Sequence, residues 1–234
     1  MTAVTHELLG ETYARIVSPH VKELRKYTAF SNNVYGELLP RFITKLIGEL
    51  GITSESVVVD LGSGVGNCVL QFAMETGCES YGCEMMEKAA ELATKQGKEL
   101  QERARLWGIQ CGEMHLIEGD FLKSEEIHAV LKRTDVLLVN NYAFDADLNG
   151  NLVNMFLDLR DGTKIISLKS FVPAGHSISS HNVEAAINLL DVREREFFSS
   201  SVSWTDAGGK YYVSTMDRSR IQKFLEKEKA LASP

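Results

Sequence analysis

The tripeptide Val57-Val58-Val59 limits what this chain can fold into more than any other feature. Three consecutive β-branched residues favour a strand, and the lack of alternating polar residues predicts that both faces of this strand are buried. Strands of this kind belong to parallel sheets that carry helices on both sides. The chain is therefore predicted to have an α/β fold with this strand inside the sheet.

Helical and strand patterns alternate along the sequence that follows. The predicted helices are 68–76, 88–107 and 148–159, and the further predicted strands are 80–83, 114–117, 135–140 and 164–168. The strict alternation of strands and helices predicts an open, doubly wound sheet. Two later extended runs, 192–198 and 211–216, are separated by Gly208-Gly209, which favours an antiparallel pair at one edge of the sheet before a final helix, 218–231.

The first fifty residues have a different, helical pattern. Apolar residues recur near a 3.6-residue period over 8–27, and a broad apolar stripe covers 38–50 before Gly51 supplies a stop. We therefore divide the chain into an N-terminal helical subdomain, 1–50, and an α/β domain, 51–234.

Composition argues against several classes of protein. The longest apolar stretches, such as Val136–Val139, stop after four residues, whereas a membrane span needs about 20, so a soluble chain is predicted. The beginning of the chain has no continuous apolar block, which predicts an intracellular location. The four cysteines form no CxxC or CxxH pair, so we expect neither a metal site nor a disulfide framework. A net charge of -7 disfavours unaided binding to a phosphate backbone.

Three glycines follow the first predicted strand at every second position, in Asp60-Leu-Gly-Ser-Gly-Val-Gly66. Because glycine has no Cβ, such a loop lets the backbone come close to a ligand. A dinucleotide loop normally reads GxGxxG and places pyrophosphate on a helix N-terminus. Here the spacing is GxGxG and a carboxylate precedes it, which favours a ligand with a cationic end. S-adenosylmethionine, which carries an ammonium group, is such a ligand.

Two further acids end neighbouring predicted strands. At the end of the second strand, Glu84 can accept hydrogen bonds from both ribose hydroxyls; after the third, Asp120 can accept from an adenine amine stacked on Phe121. Because the carboxyl ends of parallel strands share one edge of the sheet, one ligand site is predicted for all three acids. Taken singly, Asp60 could cap a helix and Glu84 could be a helix-start acid. Glu84 also suits the ribose of NAD, so these residues alone support nucleotide binding better than methyl transfer.

Two adjacent amides, Asn140 and Asn141, end the fourth predicted strand. Buried amides are costly unless they are paired, so a ligand site would explain them. An Asn carbonyl there could accept a hydrogen bond from a target amine and aim its lone pair at a methyl group, with Phe144 as a wall of the pocket. The alternative is a turn that begins at Asn, with Phe144 in the core.

Several short motifs, taken in order and spacing, make the sequence resemble a known family. They are Tyr35-Gly-Glu37, Asp60–Gly66, Gly119–Leu122, Val139–Phe144, Ser167–Phe171 and Ser201–Thr205 followed by Tyr211-Tyr212. From about Val34 to Arg218 the chain resembles the non-SET histone lysine methyltransferases of the disruptor-of-telomeric-silencing family, and its fungal branch most. Many methyltransferases carry a relative of the glycine loop, whereas the set YGE, NNYAF and VSWT in this order is highly specific.

The resemblance implies a fold and an activity. The fold is a seven-stranded class I methyltransferase sheet, which is Rossmann-like, with the N-terminal helical subdomain contributing to the cofactor pocket. The activity is transfer of methyl groups from S-adenosylmethionine to a globular-core lysine of histone H3 in nucleosomes, in the nucleus, with effects on chromatin silencing and transcription. The implied partners are histone H3 and nucleosomal DNA, with ubiquitylated histone H2B as a further candidate, and a monomer without a metal is expected.

Carried over residue by residue, the family pattern assigns a cofactor site and a lysine channel. The cofactor contacts are Tyr35, Glu37, Asp60, Gly62, Gly64, Asn67, Glu84, Asp120, Phe121 and Asn140. The channel and catalytic residues are Asn140, Phe144, Trp204 and Tyr211. None of the six histidines falls in a matched motif, so none is predicted to be catalytic.

The chain departs from the family in its charge. The resemblance implies that binding to nucleosomes depends on basic segments outside the catalytic fold. This sequence has only one small basic cluster, Lys22, Arg25 and Lys26, and a helical pattern of alternating charge near its end. Contact with DNA is therefore expected through basic regions outside this chain. Two other functions stay open: a nucleosome-binding scaffold without turnover, and another nucleotide-cofactor enzyme such as an NAD-linked oxidoreductase.

Overall fold

The computed structural model describes residues 2–28 and 36–232 and places the Val57-Val58-Val59 run in the middle of a sheet. In chain order the helices are α1 (Thr2–Ile16), α2 (Val21–Thr28), α3 (Pro40–Leu50), α4 (Asn67–Thr76), α5 (Glu87–Leu106), α6 (Glu125–Leu131), α7 (Ala146–Met155) and α8 (Ser219–Ala232). The strands are β1 (Val57–Leu61), β2 (Glu79–Glu84), β3 (Met114–Glu118), β4 (Val136–Val139), β5 (Lys164–Ser167), β6 (Leu190–Phe197) and β7 (Gly209–Met216). Short 3-10 turns cover Ser18–His20, Phe156–Asp158 and Ala186–Leu189.

The strands of the described residues form one seven-stranded sheet in the order β3-β2-β1-β4-β5-β7-β6. β1 to β5 pair in parallel, and β7 pairs antiparallel with both β5 and β6. This arrangement confirms the predicted α/β fold of the class I methyltransferase type, including the antiparallel pair at one edge. Successive strands run outward from β1 in one direction and then restart at β4 in the other, so a crevice is expected at the carboxyl ends of β1 and β4.

Apolar residues of β1 supply core contacts on both faces of the sheet. Val57 and Val59 belong to a cluster with Ile127 of α6 and Leu152 of α7. Val58 belongs to a separate cluster that includes side chains of α3 and α4. Because side chains alternate along a strand, a strand covered on both sides buries every position, and all five residues of β1 are buried.

The N-terminal helices pack on the helices that flank the sheet. Leu8 and Leu9 of α1 share an apolar cluster with α4 and α5. A polar contact adds to this packing, because the buried Gln71 of α4 donates to the Pro40 carbonyl oxygen at 2.8 Å and to Thr44 Oγ1 of α3 at 3.2 Å. The position of residues 36–39, which immediately precede α3, is therefore tied to α4. The division of the chain at residue 50 stays a prediction.

One helix, α6, was not predicted from the sequence. Its apolar residues Ile127, Val130 and Leu131 are buried but make only one turn of helical spacing, which is too short to show a period. The available signal was Ser124, whose hydroxyl accepts a hydrogen bond from the Ile127 N–H at 3.3 Å and so caps the helix.

Among the described residues no helix combines the length and the apolar character needed to cross a membrane.

We expect Gly82→Ala to destabilise the fold. A Cβ on this β2 residue would lie 2.6 Å from Val69 Cγ2 and 2.7 Å from Ser63 Oγ, so the substitution would force α4 and the glycine loop away from the sheet. The expected loss in the free energy of unfolding is about 1–3 kcal/mol, measured by urea denaturation. Gly48→Ala on α3 is the control, because a Cβ there meets no atom within 4 Å outside its own helix backbone, so this variant should be at least as stable as the wild type. Equal stabilities of the two variants would show that the loop can move at no cost.

Candidate active site

A cavity of about 360 Å³ opens at the carboxyl ends of β1, β2 and β4, where the strand order reverses. Its volume suits a small-molecule ligand. The predicted site residues that line it are Glu37, Asp60, Gly62, Gly64, Asn67, Glu84, Asp120, Phe121, Asn140, Phe144 and Trp204. Tyr35 lies outside the described residues. The structure thus brings together residues from 37 to 204 of the chain.

The glycine loop turns sharply between β1 and α4. Gly62, Gly64 and Gly66 have φ values of 81°, 54° and 83°, a region that side chains with a Cβ rarely adopt. The N–H groups of Gly62 and Ser63 both donate to the Cys83 carbonyl oxygen, at 2.9 Å and 3.1 Å. The loop is therefore fastened to the end of β2, and its backbone forms one wall of the cavity.

Glu84 holds this loop in place and still faces the cavity. One carboxylate oxygen accepts from the Gly64 N–H at 2.9 Å, and the other accepts from the Met86 N–H at 2.8 Å. A carboxylate has about four lone-pair positions, so Glu84 can still accept hydrogen bonds from a ligand. Burial raises the pKa of Glu84, and the backbone N–H groups of Met86, Gly64 and Met85 partly offset that rise.

Asp60, at the end of β1, is 4% exposed. Burial, and secondly the charge of Glu84, raises the pKa of Asp60 to about 7. Glu37 and Asp120 also line the cavity, so four carboxyl groups surround it. Such a set disfavours phosphate groups and favours a ligand with cationic groups, which would relieve the repulsion between Asp60 and Glu84.

The far side of the cavity is apolar. Phe121 is buried, and its ring centre lies 6.5 Å from that of Phe144, with 29° between the ring planes. Asp120 Oδ1 accepts from the Leu122 N–H at 3.0 Å, which fixes the turn after β3. A planar group could therefore lie against Phe121 with Asp120 beside it.

Asn140 and Asn141, adjacent in sequence, have different roles. Asn140 lines the cavity; its Nδ2 donates to the Gly36 carbonyl oxygen at 3.0 Å, and its buried Oδ1 has no hydrogen-bond partner among the described residues. Asn141 Oδ1 instead accepts from the N–H groups of Leu168 and Lys169, at 3.0 Å and 2.8 Å. Asn141 thus joins the ends of β4 and β5, and of the two amides only Asn140 is left to serve a ligand.

The mouth of the cavity is aromatic. The rings of Tyr142 and Trp204 stack with centres 5.3 Å apart, and Tyr142 is 53% exposed. Trp204 reaches this position because the loop before β7 pairs with residues 37 and 38, just before α3. Leu38 and Val202 form an antiparallel bridge, and Glu37 N donates to Ser203 Oγ at 2.9 Å.

The structure does not bring Tyr211 to the cavity. Its side chain is fully buried, packs edge-on against Phe42 with ring centres 5.1 Å apart, and accepts a hydrogen bond from Lys45 Nζ at 2.9 Å. Its hydroxyl also donates to Glu49. The pairing of β7 with β5 and β6 sets this orientation, because side chains alternate along a strand and Tyr211 falls on the α3 side.

Several residues of the cavity were missed by sequence reasoning. They include Gly36, Ser63, Met85, Met86, Leu122 and Tyr142. Each is a chain neighbour of a predicted site residue at the end of a strand or in a matched motif. That proximity was the available signal, since none of these residue types is diagnostic of a ligand.

Comparison with known proteins places the chain in a family. The family model described as "Histone methylation protein DOT1" matches residues 13–216. A protein of Yarrowia lipolytica named "Histone-lysine N-methyltransferase, H3 lysine-79 specific" is 56% identical over 97% of this chain and 47% of its own length. The protein of the same name from Emericella nidulans is 56% identical over 94% of this chain and 44% of its own length. The chain spans less than half the length of these two relatives. It belongs to the DOT1 family of histone methylation proteins.

Proposed function

We propose that this chain is the catalytic domain of a histone-lysine N-methyltransferase that transfers methyl groups from S-adenosylmethionine to a globular-core lysine of histone H3 in nucleosomes. The observation that carries the proposal is Asn140, which lines an acid-lined cavity with an aromatic mouth and whose buried Oδ1 has no hydrogen-bond partner among the described residues. An acceptor in that place suits an amine substrate. The names of the relatives support histone H3 as the substrate.

The residues of the cavity fit S-adenosylmethionine. The cofactor supplies an electrophilic methyl group on a cationic sulfonium. Asp60 would meet the cationic methionine end, Glu84 would use its remaining lone pairs for the ribose hydroxyls, and Asp120 with Phe121 would hold the adenine. Asn67 and the backbone of Gly62 and Gly64 would complete the cradle, as would Glu37 from the N-terminal part.

The chain's own contribution to the chemistry is orientation and exclusion of water. Asn140 Oδ1 accepts an N–H from the target amine and so turns the nitrogen lone pair toward the methyl group. Reaching the neutral amine from a lysine at pH 7 costs about 4–5 kcal/mol. The aromatic side chains of Phe144, Tyr142 and Trp204 desolvate the ammonium at the mouth, which lowers the pKa of the target lysine and reduces this cost.

Mass spectrometry of recombinant nucleosomes after incubation with the chain and isotope-labelled cofactor tests this proposal. Labelled methyl groups are expected on a globular-core lysine of histone H3. Cofactor binding without methylation of any nucleosome would favour the scaffold function instead. A rise in melting temperature with NAD but not with S-adenosylmethionine would favour an oxidoreductase.

The proposed cellular setting follows from the substrate. The enzyme would act in the nucleus as a monomer on nucleosomes, with ubiquitylated histone H2B as a further partner, and would affect chromatin silencing and transcription. Contact with DNA would come through basic regions outside these residues. Two observations support this: the net charge is -7, and the relatives are more than twice as long as the part that matches.

A lysine-rich segment fused to either terminus should raise activity on nucleosomes at low salt. Each phosphate neutralised by a lysine releases counterions, so six such contacts would lose about 10³-fold in affinity or more between 50 and 200 mM salt. The gain should therefore shrink as salt rises, with cofactor affinity unchanged. A serine-rich segment of equal length is the control, and a short histone peptide should show little gain. Full activity of the unfused chain on nucleosomes at about 0.2 M salt would contradict the role assigned to external basic regions.

Cofactor binding should release protons near neutral pH. The pKa of Asp60 is raised to about 7 by burial and by Glu84, and a cationic ligand favours its ionised form. Cofactor affinity should therefore fall by up to about tenfold per pH unit below 7. In the ligand-free chain the sign is opposite: the stability that Asp60 contributes is present at acid pH and is lost as the pH rises through about 7.

Calorimetry in buffers of different ionisation enthalpy measures this proton release. Asp60→Asn should abolish most of it while the fold is retained. Unchanged release in that variant would assign the titration to Glu84, whose pKa burial also raises.

A further inference from the structure

The main-chain carbonyl of Gly36 sets the orientation of the side-chain amide of Asn140, a residue that lines the cavity. The carbonyl oxygen lies 3.0 Å from Asn140 Nδ2. A carbonyl oxygen can only accept a hydrogen bond, so the nitrogen end of the amide must face it and the oxygen end must face away. Oδ1 is buried without a partner among the described residues. The amide is therefore held as a free acceptor rather than as a donor.

Close packing keeps Gly36 in this position. A Cβ at Gly36 would lie 2.6 Å from Trp204 Cε3 and 2.9 Å from Cζ3, so only glycine fits beneath the indole. The next residue is held from both sides, because Glu37 N donates to Ser203 Oγ at 2.9 Å and Ser203 N donates to the Glu37 carbonyl oxygen at 2.9 Å. The positions of Gly36, Trp204 and Asn140 are therefore coupled by packing and hydrogen bonds.

We infer that Gly36 is a positioning residue for Asn140, and that the acceptor it presents serves the first and second methyl transfers but not the third. This inference rests on the proposed function. A neutral lysine amine carries two N–H bonds, a monomethylated amine carries one, and a dimethylated amine carries none. Oδ1 can therefore orient the nucleophile in the first two transfers, whereas the third nucleophile has no hydrogen to donate.

Each transfer is balanced in the same way. The nitrogen lone pair forms the new N–C bond, the electron pair of the broken S–C bond stays on sulfur, and in the first two transfers the product ammonium loses a proton to solvent before the next one. The third product has no N–H and keeps its positive charge. Asn140 Oδ1 therefore orients the target amine only as long as its nitrogen still carries a hydrogen.

Turnover on nucleosomes whose target lysine is unmodified, monomethylated or dimethylated tests the inference. At saturating cofactor, Asn140→Ala should lower kcat by about 10²-fold for the first and second transfers and by less than about threefold for the third. Gly36→Ala also displaces Trp204, so it should lower kcat on all three substrates, with a loss about tenfold larger for the first two transfers than for the third. Gly48→Ala on α3 should match the wild type on all three substrates. In the wild type the third transfer should be the slowest. Equal losses on all three substrates in Asn140→Ala, or a third transfer faster than the first in the wild type, would overturn the inference.

A second measurement does not depend on activity. In the ¹⁵N-labelled chain, the side-chain amide protons of Asn140, identified by their loss in Asn140→Ala, should exchange with solvent at least about tenfold more slowly than those of the exposed Asn154. Gly36→Ala should remove this protection. Exchange as fast as that of Asn154 in the wild type would overturn the role of Gly36. A protected amide in a chain that methylates none of the three nucleosomes would instead overturn the proposed function and leave the positioning of Asn140 intact.

Discussion

Asn140→Ala is expected to lower turnover on nucleosomes by about 10²–10³-fold while cofactor affinity changes by less than about threefold. The reason is that Oδ1 has no partner among the described residues, so its hydrogen bond is made only when the target amine is in place. An interaction that is strongest in the transition state affects kcat rather than cofactor binding. Steady-state kinetics with labelled cofactor and calorimetry on the same preparation measure the two quantities.

Asn154→Ala is a matched control for this change, because Asn154 is an exposed residue of α7 outside the cavity. Its kinetics should equal those of the wild type. Equal losses of turnover and cofactor affinity in Asn140→Ala would mean that Asn140 binds the cofactor rather than the target amine.

Glu84→Ala should reduce cofactor affinity by about 10²–10⁴-fold. Two charge-assisted hydrogen bonds to the ribose hydroxyls would be lost, at about 1.5–3 kcal/mol each. The loss has a second source, because Glu84 also accepts from the N–H groups of Gly64 and Met86 and so shapes the glycine loop. Glu84→Gln keeps the shape and one acceptor oxygen but turns an NH₂ group toward one of these donors, so its affinity should fall between those of Ala and the wild type.

Glu87→Ala is the control for Glu84→Ala, because it removes a negative charge near a helix start without removing a residue of the cavity. Glu87 lies in the first turn of α5 and does not line the cavity. Calorimetry should show wild-type cofactor affinity for this variant. A loss of less than about threefold in Glu84→Ala would reduce Glu84 to the same kind of helix-start acid.

Local sequence patterns were enough to predict the class of fold and the convergence of three acids at one edge of the sheet. The Val57-Val58-Val59 run predicted a strand covered on both faces, and all five residues of β1 are buried. Asp60, Glu84 and Asp120 were predicted to converge because each follows a parallel strand, and the carboxyl ends of such strands share one edge. These inferences needed only short-range patterns and one general rule of sheet geometry.

The positions that depend on long-range pairing could not be predicted from local patterns. Tyr211 and Asn140 were assigned to one channel, yet the register of β7 turns Tyr211 toward α3, whereas Asn140 faces the cavity. Local patterns did not separate Asn140 from Asn141, and only the family resemblance singled out Asn140, because their roles depend on the Gly36 carbonyl and on the residues after β5. The contact of Glu37 with Ser203 joins residues 166 positions apart. Such contacts depend on residues that are far apart in the sequence. The same is true of the burial that raises the pKa of Asp60, so no local pattern encodes either.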